Sequence, residues 1–405
     1  MISGSITHMK VITFGCRVNS FESAVMEQIS DRRLDDVILV HTCAVTNEAE
    51  RQCRQAIRQI ARENPDKRIF VAGCAAQFHP EVFASMPEVS RVLGNHEKIR
   101  ETDLLSDEKV TVGKLSGQAP IPPILKKFNE RNRAFLQIQQ GCDHACTFCI
   151  ITHLRGQNTG IPQDQVLQQA RLFIENGFSE IVLTGIDVAS YPYDLWTLTK
   201  RLLTEVDGLK RLRFGSLDPA GVGDVFLELM AKYPVLMPSV HLSAQAGDNL
   251  ILKRMGRRHT FEDVISFAQK LRQVHQDATL GADLIAGFPT ETPEQFQRTL
   301  DLIEEADITH AHIFPYSARV GTPAAKMPQV LKAERLLRAK QARELNNKIY
   351  QKWLDKMVGK RVSVLVEQDG SGYTENYFKV QTGQPNKVGQ IITGELRKEQ
   401  DELVF

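Results

Sequence analysis

Cys142, Cys146 and Cys149 stand in the run Gln139-Gln140-Gly141-Cys142-Asp143-His144-Ala145-Cys146-Thr147-Phe148-Cys149, a C-x3-C-x2-C spacing. Three thiolates so close in the chain suit three corners of one cubane iron–sulfur cluster. They leave the fourth iron without a protein ligand, and an open coordination position is where a metal centre does chemistry. Other uses of thiols fit less well. Disulfide frameworks belong to oxidising compartments and small secreted chains. This chain has 405 residues and seven cysteines, and residues 1–10 carry no signal-peptide pattern. Structural zinc sites pair two C-x2-C knuckles, or one with histidines. His153 is the next histidine, but the asymmetric spacing argues against a knuckle.

Cys16, Cys43 and Cys74 share a different context. Each closes a short apolar run: Val11-Ile12-Thr13-Phe14-Gly15-Cys16, Val37-Ile38-Leu39-Val40-His41-Thr42-Cys43 and Arg68-Ile69-Phe70-Val71-Ala72-Gly73-Cys74. Such runs, separated by helix-like segments, predict buried parallel strands. Ligands of open parallel sheets bind outside the carboxyl ends of the strands. Three cysteines at that position can converge on a second cluster, although isolated buried cysteines are often only small hydrophobes. Cys53 lies inside a helical pattern and reads as non-ligating.

The elements that must position these residues fall into an α/β chain of three parts. Residues 1–118 form an N-terminal open parallel α/β sheet, and the proline-rich stretch within 119–133 is a linker. From 134 to 350, strands at 134–139, 180–185, 211–217, 239–243, 279–286 and 310–316 alternate with helices at 163–176, 224–232, 260–274 and 293–306. Six such units fit a (βα)6 partial TIM barrel with its site at the C-terminal strand ends. A basic helix over 331–350 bridges to the tail. Residues 351–405 alternate like strands, with Asp369-Gly370 as a turn, and predict a small β-barrel of the oligonucleotide-binding style. Hydrophobic content of 42% and charged content of 24% suit globular cores. No apolar run reaches 18 residues, so no membrane partner is expected, and the cysteine usage fits a reducing cytoplasm. The net charge of +1 hides any basic face.

The C-x3-C-x2-C run resembles that of the radical S-adenosylmethionine (AdoMet) enzymes, which implies AdoMet at the open iron and its one-electron cleavage. Gly15-Cys16-Arg17-Val18-Asn19, Thr42-Cys43-Ala44-Val45-Thr46 and Gly73-Cys74-Ala75-Ala76-Gln77 resemble the three N-terminal signatures of the methylthiotransferase family. That resemblance covers nearly the whole chain. It implies two [4Fe-4S] clusters, a TRAM-type C-terminal domain, and insertion of a CH3–S group at C2 of an adenine. The Cys-Ala-Val-Thr form is closest to the branch that acts on N6-threonylcarbamoyladenosine 37 of tRNA. The same chemistry on isopentenyladenosine 37 or on a ribosomal-protein aspartate is the neighbouring reading. An RNA-binding protein with structural or redox-sensing clusters is a reading of another class.

The resemblance further implies AdoMet contacts at Gly185, Asp187, Ser243, Gln245, Asp283, Gly287 and Arg319, all near strand ends. Ala246 stands where the family usually has Ser, and Gln157-Asn158 where arginines usually follow Arg155-Gly156. The stretch from Cys16 to Cys43 is shorter than in the family. Arg51, Arg54, Arg58 and Arg62 recur at helical steps on one face and read either as a solvated stripe or as phosphate contacts; Arg155 is a further candidate RNA contact. The expected partners are the tRNA anticodon loop and a low-potential electron donor of flavodoxin or ferredoxin type, with no DNA.

Overall fold

The computed structural model describes residues 9–30, 33–115, 117–126, 128 and 132–405. Residues 1–8 of the stretch read for a signal-peptide pattern, residues 31–32 of the short Cys16–Cys43 stretch and part of the 119–133 linker lie outside the described residues.

The apolar runs form the expected parallel sheet. Its strands are β1 (Lys10–Thr13), β2 (Val37–Thr42), β3 (Arg68–Gly73), β4 (Val89–Leu93) and β5 (Val110–Thr111), in the order β1-β2-β3-β4-β5. β2 is buried along its whole length, as a central strand covered on both faces must be. The register Thr13↔His41 and Thr42↔Gly73 brings the carboxyl ends of β1, β2 and β3 side by side.

The barrel strands are β6 (Ala134–Gln137), β9 (Glu180–Thr184), β10 (Arg211–Phe214), β11 (Ser216–Leu217), β12 (Ser239–Gln245), β13 (Thr279–Ala286) and β14 (Ile308–Pro315), with the short pair β7 (Gln139–Gln140) and β8 (Thr159–Gly160) beside the cysteine loop. All barrel pairings are parallel, in two sheets ordered β10-β9-β6 and β11-β12-β13-β14. Gly215 interrupts the expected 211–217 strand, so β10 and β11 serve as one staggered unit and the count of six holds.

The bridging helix runs over Lys332–Met357, past the expected end at 350. Ile349, Trp353, Leu354 and Met357 pack with Val362, Val364, Phe378 and Val380 in one core that also includes the barrel. The tail is a curled six-stranded sheet of β15 (Arg361–Val366), β16 (Ser371–Thr374), β17 (Lys379–Gln381), β18 (Ile391–Glu395), β19 (Arg397–Glu399) and β20 (Glu402–Val404). It closes the amino end of the barrel. Arg211 donates to the Tyr373 and Ser363 carbonyls at 2.9 and 2.7 Å, and Arg213 to those of Glu375 and Thr374, both at 2.8 Å. The N-terminal sheet docks at the opposite end: Phe21 and Val25 join the barrel core, and Ile150 and Leu154 join the core around Cys74.

Candidate active site

The Cys142–Cys149 loop is held from several sides. Gly141 has φ +72°, and a Cβ there would lie 1.9 Å from the Gln157 carbonyl oxygen, so only glycine permits this approach. Gln139 braces the loop: its Nε2 donates to the Gly141 carbonyl at 2.6 Å, and its Oε1 accepts from the Ile186 and Asp187 amides, both at 2.9 Å. Thr147 Oγ1 donates to the Arg254 carbonyl at 2.7 Å, and Phe148 packs edge-on to Phe288.

Each of the three sulfurs receives a donor. The His144 amide points at Cys142 Sγ at 3.4 Å, the Ile151 amide at Cys149 Sγ at 3.4 Å, and Arg257 Nη1 at Cys146 Sγ at 3.5 Å. Burial pushes the Cys142 thiol up to about 12 and the Cys149 thiol up to about 11, because low-dielectric surroundings disfavour a bare thiolate. A bound metal removes that penalty by coordinating the deprotonated sulfur. All seven cysteines are free. Three unlinked thiols with N–H groups aimed at their sulfurs fit an iron–sulfur cluster. Cys142, His144 and Asp187 place ligand-type atoms within 4.8 Å of one another, whereas His153 is exposed on the helix Ile151–Arg155.

The second trio lies at three adjacent strand ends. A Cβ on Gly15 would sit 3.1 Å from Cys43 Sγ, which shows how closely the β1 and β2 ends approach. Asn19 ties them by donating to the Phe14 and Thr42 carbonyls at 2.8 and 3.1 Å. Thr46 caps the helix Asn47–Glu63 by accepting from the Ala49 amide at 3.1 Å, which aims the Cys43 turn. Burial, reinforced by Cys74, pushes the Cys43 thiol up to about 12. Cys74 Sγ accepts from Arg155 Nε at 3.3 Å and faces Asn95 Nδ2 at 3.7 Å. These thiols and donors fit a second cluster by the same chemistry. Cys53 is buried in the helix behind Cys43 and its thiol faces the Cys43 backbone.

A cavity of about 760 Å³ joins the parts. Cys16 and Cys43 line it at one end, Gly185, Ser216 and Asp283 along the barrel, and Tyr373 and Tyr377 at the C-terminal sheet. Asp187, two residues beyond Gly185, stands 3.8 Å from Cys142 Sγ. Cys16 and Cys43 therefore border this space, and the Cys142 loop approaches it through Asp187.

The Radical SAM superfamily profile matches residues 136–303, and the profile described as "Uncharacterized protein family UPF0004" matches residues 8–94. A threonylcarbamoyladenosine tRNA methylthiotransferase MtaB of Rickettsia prowazekii is 42% identical over 96% of this chain and 94% of its own length. The MtaB of Aquifex aeolicus is 33% identical over 94% of this chain and 98% of its own. The chain belongs to the radical SAM tRNA methylthiotransferase family. A tRNA-2-methylthio-N(6)-dimethylallyladenosine synthase of a Ruegeria species is 33% identical over 88% of this chain and 87% of its own. Among solved structures, the radical S-adenosylmethionine methyltransferase TsrM from Kitasatospora setae matches with TM-score 0.53 at 17% identity, over 76% of this chain and 67% of that chain. That likeness is one of fold.

The methylthiotransferase binds AdoMet and a [4Fe-4S] cluster as its family does, and the structure sorts the residues expected to serve them. Gly185 lines the cavity, and Asp187 pairs with His144 at 2.8 Å. Ser243 accepts from Arg257, the same guanidinium that reaches Cys146. Gln245 takes φ +69° at the end of β12. Asp283 lies within the barrel, its Oδ1 3.1 Å from both His241 Nε2 and His312 Nδ1. These two histidines keep its carboxyl below the usual range although burial opposes them. Ala246 is buried in an apolar cluster with Ile251, Leu252 and Phe288, so the missing hydroxyl leaves no unpaired group.

Three of the expected residues have partners within the protein. A Cβ on Gly287 would lie 2.3 Å from Arg335 Cγ, so this glycine admits the close approach of the helix Lys332–Met357, and its amide donates to Glu291 Oε2 at 2.8 Å. Arg319 is buried, pairs with Glu50 at 3.2 Å and Asn47, and lies over Phe78; it joins the barrel to the helices of the N-terminal part. Arg155 is fully buried and cannot reach RNA. It bonds Glu22 and Asn19, both at 2.5 Å, besides Cys74. On the arginine stripe, Arg51 and Arg54 are paired with Glu48 and Glu50, while Arg58 and Arg62 stay exposed.

Sequence reading missed Gln139, Arg257 and Lys98. Lys98 is buried against Glu22 at 2.7 Å, His41 at 2.9 Å and Asn95 at 2.6 Å. Burial and the nearby Arg155 push its pKa down to about 8. Arg257 and Lys98 lie outside the cysteine signatures, and Gln139 opens the Cys142 run but braces it through the Ile186 and Asp187 amides, far off in sequence.

Proposed function

We propose that this methylthiotransferase inserts a CH3–S group at C2 of N6-threonylcarbamoyladenosine 37 in the tRNA anticodon loop. The observation that carries the reading is the shared cavity, bordered by Cys16 and Cys43 and reached from Cys142 through Asp187 and Gly185. The Rickettsia and Aquifex relatives, both named threonylcarbamoyladenosine tRNA methylthiotransferases, support the same substrate. Cys142, Cys146 and Cys149 would hold the AdoMet cluster, and Cys16, Cys43 and Cys74 a second [4Fe-4S] cluster. When bound, these groups supply one-electron chemistry, which an inert aromatic C–H bond requires because no side-chain base can take its proton.

The chain's own residues do the remaining work. Asp187, Ser243 and the Gly185 backbone border the space next to Cys142 and Cys146 and would orient AdoMet. Tyr373 and Tyr377, stacked at 4.6 Å between ring centroids, present an aromatic wall to an adenine splayed out of its loop. The C-terminal sheet closes the far end against water. Arg58 and Arg62 remain as candidate phosphate contacts, and a flavodoxin- or ferredoxin-type protein in the cytoplasm would deliver electrons.

Anaerobic reconstitution with iron, sulfide, AdoMet and reductant tests the reading on an anticodon hairpin bearing threonylcarbamoyladenosine. The 2-methylthio nucleoside and 5′-deoxyadenosine are the expected products by mass spectrometry. Turnover of an isopentenyladenosine hairpin instead would move the assignment to the neighbouring substrate. Formation of neither product would favour structural clusters.

A further inference from the structure

The cavity wall carries four guanidinium or ammonium groups: Arg17, Arg133, Arg213 and Lys379. Three have carboxylate partners. Arg133 meets Glu367 at 2.8 Å, Arg213 meets Glu180 at 3.0 Å, and Lys379 meets Asp369 at 3.5 Å. Among the described residues, no carboxylate lies within ion-pair distance of Arg17. Its guanidinium instead lies 5.9 Å from the Phe135 ring centroid on β6, and its Nη1 would be 3.9 Å from a Cβ on Gly215. Arg17 thus reaches from the end of β1, next to Cys16, across the cavity to the barrel. A half-buried cation without an anion is costly to keep and is a ready receptor for one. A planar guanidinium also matches the two oxygens of a carboxylate.

The rest of the wall says which anion the space suits. Tyr373, Tyr377, Phe214 and Phe314 offer ring faces and edges for a base. His312 is exposed to the cavity, with Nδ1 held by Asp283 at 3.1 Å and Nε2 left available to a polar substituent. A cavity with a free cation and a free imidazole nitrogen is poorly matched to a purely apolar arm on the adenine. It suits an arm that ends in a carboxylate and carries hydrogen-bonding groups.

We propose that Arg17 is a specificity-determining residue of this enzyme: its guanidinium receives the carboxylate of the amino-acid arm on the modified adenine. The proposal rests on the threonylcarbamoyladenosine reading given above. It also separates Arg17 from its neighbour Cys16, since one would read the substrate and the other would hold a cluster.

The test uses the reconstituted full chain and three anticodon hairpins, bearing threonylcarbamoyladenosine, its carboxamide analogue and isopentenyladenosine. Affinity is read by fluorescence anisotropy and kcat/KM by nucleoside mass spectrometry. The wild type should prefer the acid to the amide about 10- to 100-fold, the range of a hydrogen bond to a charged group. Arg17→Ala should bring that ratio close to one, and Arg17→Lys should retain part of it. Each variant is compared with itself on two RNAs, and the affinity ratio needs no turnover, so a partial loss of iron does not blur the result. If Arg17 served only the cluster or the RNA backbone, the substitution would weaken acid and amide alike and the wild-type ratio would persist; that result overturns the proposal, as does a wild type indifferent to the carboxylate. A wild type that modifies the isopentenyl hairpin and not the acid overturns the substrate reading itself, before any variant is made.

Discussion

At the scale of single residues, the two cysteine trios make separable predictions. If each trio holds one four-iron cluster, Cys16→Ala, Cys43→Ala and Cys74→Ala should each lower iron per chain by about half, while Cys53→Ala should leave it unchanged. Iron analysis after anaerobic reconstitution reads this directly, and full iron in the Cys74 variant would remove the second site. Arg155 makes a sharper case. Its guanidinium serves Cys74, Glu22 and Asn19 at once inside a region sealed from water. Burial alone would raise the Glu22 carboxyl, yet Arg155 and Lys98 hold it below its usual range. Arg155→Met leaves Glu22 with Lys98 alone, and breaking a buried pair of this kind costs about 3–5 kcal/mol. Urea denaturation should show that loss. Arg155→Lys keeps the charge but not the fork that spans three partners, so it should fold and load less iron. From the sequence, Arg155 was legible only as a candidate RNA contact. Its partners Glu22 and Asn19 are 133 and 136 residues away, and nothing local signals a burial that only their charge and polarity permit.

At the scale of elements, strand ends do the positioning, and a glycine at positive φ precedes Cys16, Cys74 and Cys142 alike. The Gly141 case predicts most plainly. Alanine there would meet the Gln157 carbonyl and adopt an unfavourable φ, which costs more than about 1 kcal/mol. Gly141→Ala should therefore empty the Cys142 trio, seen as loss of about half the iron, while circular dichroism keeps the wild-type helix and strand signal because the loop lies outside the sheets. Retention of all the iron would show that the turn is not what holds the loop. β1, β2 and β3 of the N-terminal sheet and most barrel strands were legible because continuous apolar runs mark strands covered on both faces, whereas β4 and β5 were not read. The C-terminal strands after β15 were harder to read: β17, β19 and β20 have three residues each, too few for alternation to register. Gly287 was only partly legible for a related reason. A glycine after a strand signals close approach, but the sequence does not say whether a ligand or a helix approaches.

At the scale of the whole molecule, the barrel is closed at one end by the cysteine-bearing parts and at the other by the C-terminal sheet, so the tail is a structural floor. Its junction is electrostatic as well as apolar: Glu180 is buried with Arg213 at 3.0 Å and Arg211 at 3.5 Å, and both arginines reach on to the tail's carbonyls. His310 stands at this junction, with its ring 5.5 Å from Tyr350, 5.3 Å from Phe378 and 6.1 Å from Tyr377. Enclosure among these rings lowers its pKa to about 3, and the neighbouring His241, His312 and Arg213 push the same way. The sign of the consequence follows from linkage. Below about pH 6.5 the unfolded chain protonates this imidazole while the folded chain leaves it neutral, down to about pH 3. Folding stability must then fall on acidification across that window, by up to ~1.4 kcal/mol per pH unit from this group. Replacing the imidazole removes the titration, so His310→Asn should lose less stability than the wild type between neutral pH and pH 5.5, by about 1 kcal/mol. The comparison is between the two acid sensitivities, so carboxylates that titrate in both proteins cancel and a lower starting stability in the variant does not matter. Equal sensitivities would mean that water from the cavity, which His310 lines, reaches the ring and lets it charge in the folded protein.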